Sequence, residues 1–272
     1  MKSALGPLRL LQPRALNEAL RMLRDEGDGA TPVMPLAGGT DVYVGLNFGA
    51  PVGGPGAAYL DVWGLRGRAG LSGIKRVGTQ LHIGALTTFT ELAENALVAR
   101  HLPSLAAAAR TIGGVQIQNR ATVGGNLANA SPAADSVPVL AVADAQVVLQ
   151  SARGERVVGL DDFFIAYRRT ARAPDELLVG VRVNALGGAT RPFFRKVGTR
   201  AANAISKVVM AAARRPAGAR GGPRIAFGSV GPKVVRARRT EEALAAGAGI
   251  EDAVETLMSE IAPIDDLRST EA

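Results

Sequence analysis

Residues 113–135 constrain the chain more than any other stretch. They carry four glycines, three asparagines and two glutamines, with Thr122, Ser131 and Pro132, and show little helical or strand period. Irregular stretches of this length inside a compact chain are uncommon and tend to be functional. Within it lies Ala121-Thr122-Val123-Gly124-Gly125-Asn126, and a similar turn, Ala37-Gly38-Gly39-Thr40-Asp41, occurs near the N-terminus. Paired glycines permit positive φ and leave main-chain N–H groups bare. Consecutive amides form a concave nest for anionic oxygens. A diphosphate has two charged groups, so two such turns meeting in space would hold it from both sides. Neither turn belongs to a Gly-x-Gly-x-x-Gly at a strand–helix junction, and no Walker lysine follows, so Rossmann and P-loop sites are not supported.

The 272 residues include no cysteine and only two histidines, His82 and His101. Disulfides, iron–sulfur ligation, thiolate zinc and cysteine nucleophiles are excluded, and so is a histidine-rich metal site. His82 reads as a half-exposed strand residue. Redox chemistry in this chain must therefore use an organic cofactor, with any metal centre on a partner. No apolar run reaches the roughly 18 residues of a transmembrane helix, and no secretory-type apolar region opens the chain. The expected setting is cytoplasmic, with no integral membrane segment. The net charge of +8 is uneven: residues 191–239 hold 13 Lys and Arg and no acid, whereas residues 240–272 hold nine acids and one base. No exposed aromatics or recognition helix accompany the basic block, so a partner-docking face or solvated charge fits better than nucleic acid.

Hydrophobic spacing predicts a helix over 13–26, with Ala15, Leu16, Ala19, Leu20 and Leu23 on one stripe and a stop at Gly27-Asp28-Gly29. Strands follow at 33–36 and 59–63, with a helix or extended piece at 42–46 between them. A hairpin is expected over 74–83, then helices over 87–95, capped by Thr88, and 102–111. Residues 136–143 read as helix, 146–158 as a hairpin and 176–183 as a strand. The last third reads as strands at 192–197, 206–213 and 224–230, paired across a Pro/Gly/Arg turn. Two helices close it, 240–246 opening on a Thr240 cap, and 250–262. The expected division is 1–183, with subdomains 1–56 and 57–183, and 189–272, joined at Asn184-Ala185-Leu186-Gly187-Gly188.

Read together, Thr111 to Asp135 closely resembles the FAD-binding loop in medium subunits of molybdenum hydroxylases, the xanthine dehydrogenase and carbon monoxide dehydrogenase family. Pro35-Leu36-Ala37-Gly38-Gly39-Thr40-Asp41 is similar to that family's first FAD motif. Asp161-Asp162-Phe163-Phe164, Tyr167-Arg168-Arg169-Thr170 and Glu176-Leu177-Leu178 resemble the segment that follows. Phe194-Arg195-Lys196-Val197-Gly198-Thr199-Arg200 with Ile205-Ser206-Lys207-Val208 resembles the start of its C-terminal domain. The resemblance implies an α+β chain: a vanillyl-alcohol-oxidase-type FAD-binding fold of two α/β subdomains, followed by an antiparallel sheet-plus-helices domain. It implies electron flow from a large molybdopterin subunit, through a small iron–sulfur subunit, to FAD here and on to an external acceptor, in a dimer of heterotrimers. No substrate chemistry is expected in this chain. A flavin-free docking subunit and a stand-alone flavoenzyme of the same fold are the alternatives.

By the same resemblance, Leu36, Ala37, Gly38, Gly39, Thr40, Asp41 and Val42 line FAD. Ile112, Gly113 and Ile117 lie along it, and Thr122, Gly125 and Asn126 hold the diphosphate from the second loop. Asp135 bonds a ribose hydroxyl at the adenosine end, Leu178 packs on adenine or flavin, and Lys196 approaches the isoalloxazine. The residues alone read Lys196 equally well as an exposed strand lysine. Gln118 departs from the family pattern, which has a basic residue there.

Overall fold

The computed structural model describes residues 8–27, 32–51, 53–54, 56–186, 190–200, 203–214 and 222–265. In chain order the first part holds β1 (Leu10–Leu11), α1 (Leu16–Gly27), β2 (Val33–Leu36), α2 (Val42–Asn47) and β3 (Ala58–Asp61). The three strands form a parallel sheet in the order β1-β3-β2. Parallel strands of one sheet need a crossover connection, which α1 supplies between β1 and β2. Its stripe of Ala19, Leu20 and Leu23 is buried against Val33, Ala58 and Leu60. The central strand is β3, which lies beyond the division expected at 56–57. Position 57 therefore cannot open a separate subdomain, because β3 would leave β1 and β2 without a common partner.

The second part begins with β4 (Ile74–Val77) and β5 (Gln80–Gly84). Helices follow: α3 (Phe89–Glu94), α4 (Ala96–His101), α5 (Pro103–Thr111), α6 (Val115–Gln118), α7 (Val123–Asn129) and α8 (Ser136–Val142). Then come β6 (Gln146–Ser151), β7 (Gly154–Gly159), α9 (Leu160–Phe163), β8 (Phe164–Ala166), β9 (Arg169–Thr170) and β10 (Leu177–Asn184). Strand β10 inserts between the two hairpins, giving an antiparallel sheet β4-β5-β10-β6-β7. The Thr88 cap is as expected and forms a full capping box with Glu91. Residues 113–135 are not irregular throughout. Thr122 caps α7 through a bond from the Gly125 N–H (3.1 Å), and glycine and asparagine, weak helix formers, hide so short a helix from a periodicity reading.

The last part is an antiparallel sheet of β11 (Arg191–Gly198), β12 (Ser206–Arg214), β13 (Arg224–Gly228) and β14 (Val235–Arg236), followed by α10 (Arg238–Ala245) and α11 (Ile250–Met258). The expected β12–β13 turn, and Gly187 and Gly188 of the expected linker, lie outside the described residues. Helices α5 and α8 pack on this sheet, and Ala211, Ala213 and Ala226 belong to the same core as Leu105, Val139 and Leu149. No helix among the described residues is long and apolar enough to cross a membrane.

Thr240 does not cap α10, which begins two residues earlier. Glu260 does that work from a distance. Its carboxylate accepts the N–H groups of Arg239 and Thr240 (both 2.9 Å) and the Thr240 hydroxyl (2.6 Å). Burial works to raise the Glu260 pKa, but these three bonds and the Arg239 charge outweigh it and hold it below the ordinary value. A depressed carboxyl contributes stability above its unfolded pKa, near 4.3, and loses it as pH falls through the folded value. Glu260→Gln is expected to cost about 1–2 kcal/mol at pH 7 by urea unfolding, and the gap to the parent should close below about pH 4. An unchanged gap there would rule out the carboxylate as the cause.

Candidate functional site

The two glycine turns meet. A Cβ built on Gly38 would lie 1.8 Å from the Arg120 carbonyl oxygen, so the first turn rests directly on the backbone that leads into the second. Both turns line one open cavity of about 210 Å³ between the parallel sheet and the helical layer. Gly39 has φ +78°, in the left-handed region, and a Cβ there would also strike the Tyr43 ring at 2.9 Å. The N–H groups of Gly38, Gly39, Thr40 and Asp41 make no hydrogen bond to another described residue. Four successive amides are thus open where the chain enters α2.

The second turn differs from expectation. Its amides are occupied within the chain: Val123 N–H donates to Thr87 O (3.0 Å), Gly124 N–H to Ala85 O (2.8 Å) and Asn126 N–H to Thr122 O (2.9 Å). The Gly125 N–H goes to Thr122 Oγ1. Gly124 is needed for closeness rather than for a nest, since a Cβ would sit 2.7 Å from that of Ala85. What this turn offers a ligand is side chains. The Thr122 hydroxyl retains its proton to donate, and the Asn126 amide, whose Oδ1 accepts from Ser136 Oγ (2.7 Å), keeps Nδ2 as a donor. One turn supplies main-chain amides and the other side-chain donors.

A third segment joins at the cavity. Asn129 Nδ2 donates to Asp41 Oδ1 (3.0 Å), and Arg168 Nη1 donates to Asn129 Oδ1 (3.0 Å). This chain of bonds ties the β8–β9 hairpin, α7 and the first turn together. Burial pushes the Asp41 carboxyl above its ordinary pKa, and Arg168 and Asn129 only partly offset it. Apart from Arg172, the rest of the wall is apolar, including Val62, Leu86, Phe89, Ile112, Leu177 and Leu178.

Of the residues the sequence singles out, Ala37, Gly38, Gly39, Thr40, Asp41, Val42, Ile112, Ile117, Thr122, Gly125, Asn126 and Leu178 line this cavity. Leu36, Gly113, Asp135 and Lys196 do not. Leu36 ends β2, and its carbonyl accepts the Val62 N–H (3.0 Å). Gly113, at φ +57°, shapes the turn against Ile117. Asp135 and Lys196 face each other. Lys196 Nζ lies 2.6 Å from Asp135 Oδ2 and 2.9 Å from the Thr111 carbonyl, and Ser206 Oγ donates to Asp135 Oδ1. Only 10% of the Lys196 side chain is exposed, so the surface-lysine reading is wrong. Sequence reasoning missed Asn129 and Arg172. Asn129 stands three residues after Asn126, on the same helical face, which is a usable signal. Arg172 has none.

Residues 6–185 match the family model described as the FAD binding domain in molybdopterin dehydrogenase. The chain belongs to that family. Residues 193–272 match the carbon monoxide dehydrogenase flavoprotein C-terminal domain. Among curated proteins, the chain is 34% identical over 201 residues to the nicotinate dehydrogenase FAD-subunit of Eubacterium barkeri, covering 72% of this chain and 64% of that protein. It is 28% identical to the carbon monoxide dehydrogenase medium chain of Hydrogenophaga pseudoflava, covering 94% and 88%. The match spans 53% of the xanthine dehydrogenase FAD-binding subunit of Escherichia coli O157:H7, so the chain aligns with somewhat over half the length of several relatives. A solved structure of carbon monoxide dehydrogenase from Hydrogenophaga pseudoflava superposes with a TM-score of 0.87 at 27% identity, over 99% of this chain and 92% of that one. The α+β architecture is that of this flavoprotein family, an FAD-binding part followed by a C-terminal sheet with helices.

Proposed function

We propose that this chain is the FAD-carrying, electron-transferring subunit of a heteromeric molybdenum hydroxylase. The observation that carries the reading is the meeting of two turns, some 85 positions apart, on one cavity with complementary donors. FAD fits that cavity chemically. The open amides of residues 38–41, the Thr122 hydroxyl and Asn126 Nδ2 suit a diphosphate. Ile112, Ile117 and Leu178 suit the flat rings of flavin or adenine. Bound FAD supplies a centre that takes and yields electrons singly or in pairs. The protein's own task is to hold it, exclude water from one side and set the charge around it. Asp135 and Lys196, one residue behind Ile112 through the Thr111 carbonyl, would act by fixing that wall and by their field rather than by touching the cofactor.

The partners of this reading are a large molybdopterin subunit and a small iron–sulfur subunit, assembled as a dimer of heterotrimers in the cytoplasm. The relatives named as medium chains or FAD subunits support the multi-subunit part of this reading. The FAD-binding part would comprise residues 1–183 and the C-terminal part 189–272. The test is purification of the complete chain with whatever it binds. A yellow preparation with a flavin spectrum, accompanied by a large molybdenum protein and a small iron–sulfur protein, is expected. A colourless chain that does not respond to added FAD would overturn the flavin assignment. A flavin-bearing chain that oxidises or reduces an organic substrate with no partner would instead place it among stand-alone flavoenzymes.

A further inference from the structure

Among the described residues lining the cavity, only Asp41 and Arg172 are charged. A diphosphate brings two negative charges, and burying them calls for opposite charge as well as N–H donors. Asp41 has the wrong sign. Gln118 donates its Nε2 to the Arg110 carbonyl (3.1 Å) and brings no charge.

Arg172 is held in a way that leaves it available. Its Nη1 donates to the carbonyls of Ala173 (3.0 Å), Pro174 (3.3 Å) and Glu176 (2.7 Å). Nε and Nη2 make no hydrogen bond to another described residue. The carboxylates nearby are committed elsewhere. Glu176 takes a two-pronged bond from Arg156 (2.5 and 2.7 Å) and the Ala173 N–H (2.7 Å), and Asp175 Oδ2 sits 2.8 Å from Arg153 Nη1. Burial lowers the Arg172 pKa more than Glu176 and Asp175 raise it, as for a guanidinium whose charge the fold leaves under-compensated.

We propose that Arg172 is the cation that neutralises the diphosphate of the bound dinucleotide, making the site selective for FAD over flavins that lack the phosphate bridge. This rests on the flavin reading above. Bracing through Nη1 fixes the plane of the guanidinium, and the remaining N–H groups form the fork that suits phosphate oxygens. The first turn then contributes dipoles, and Arg172 the full charge.

The experiment uses the complete chain freed of flavin, with FAD, riboflavin, ADP and adenosine as ligands. Arg172→Met is expected to weaken FAD and ADP by about tenfold or more, the loss of one charge-assisted contact, and to leave riboflavin and adenosine within about threefold. Arg172→Lys should keep more ADP affinity than Arg172→Met although it loses both the bracing by the three carbonyls and the phosphate-facing fork. Equal losses for ADP and adenosine, or equal effects of Lys and Met, would reduce Arg172 to a brace for its own loop and overturn the proposal. So would an ADP affinity unchanged in Arg172→Met. A parent chain that binds no FAD at all would instead sink the flavin reading.

Discussion

Gly38→Ala yields a chain that folds but no longer retains flavin. The added methyl would stand 1.8 Å from the Arg120 carbonyl oxygen and 2.5 Å from its carbon, far inside van der Waals contact. Those atoms are main chain, fixed by bonds from Arg120 N–H to Ile117 O (3.0 Å) and Ala121 N–H to Ile117 O (2.7 Å). The two turns must therefore separate by an ångström or more, on the order of the whole tolerance of a hydrogen bond. On the reading proposed above, donors on both turns serve the same phosphates, so both sets suffer. Losing even two contacts to a charged group implies at least about a hundredfold loss in FAD affinity. Gly64→Ala is the control, because its added methyl meets nothing within 4 Å. Titration by flavin fluorescence checks both. A Gly38→Ala affinity within threefold of the parent would show that the turns do not share the cofactor.

Removing one partner of the Asp135–Lys196 pair has the largest expected effect on stability. Both side chains are nearly inaccessible, at 6% and 10%, so neither is rehydrated when the other is lost. Asp135→Ala or Lys196→Met is expected to cost about 3–5 kcal/mol in denaturant unfolding, most of it the penalty of one buried charge left alone. The double variant should cost clearly less than the sum of the two. Burial pushes the Asp135 carboxyl above its ordinary value, and the bonds from Lys196 and Ser206 only partly draw it back. A raised carboxyl contributes stability that is full below its unfolded pKa, near 3.9, and is lost as pH rises through the folded value. Lys196→Met removes the main opposing influence and raises that carboxyl further. Its unfolding midpoint should therefore decline more steeply than the parent's between acid and neutral pH. Parallel pH profiles would show that the two groups do not interact.

The glycine turns were legible because their chemistry is local: φ freedom and bare backbone belong to the dipeptide itself. What was not legible is which amides stay open. The partners that close the second turn, Thr87 O and Ala85 O, come from a segment nearly 40 positions earlier. Helix α7 is hidden because its Thr122 cap and tertiary contact, rather than propensity, hold it, and α6, which has no side-chain cap, is a single turn too short for a periodicity to show. Lys196 was half readable. Strand β11 alternates, with Arg191, Phe193, Arg195 and Val197 outward, so Lys196 shares the inner phase with Phe194. Extending the alternation by two residues would have placed it inside. The cap on α10 escapes the sequence for the opposite reason: Thr240 satisfies a local rule, but Glu260, twenty residues on, supplies the acceptor. Arg172 is set by three carbonyls and a cavity, and no sequence pattern encodes either.

The alanine face of the last sheet has a consequence for how such chains can be cut and recombined. Ala211, Ala213 and Ala226 lie in the same core as α5 and α8, which belong to the preceding part of the chain. Severing the chain between the two family matches would leave each fragment with a bare apolar surface and its half of several ion pairs, Asp135–Lys196, Asp144–Arg224, Asp144–Arg236 and Asp161–Arg238 among them. The C-terminal segment is thus better regarded as a lid grown onto its neighbour than as a transferable module, and a swap between relatives should succeed only when both halves travel together.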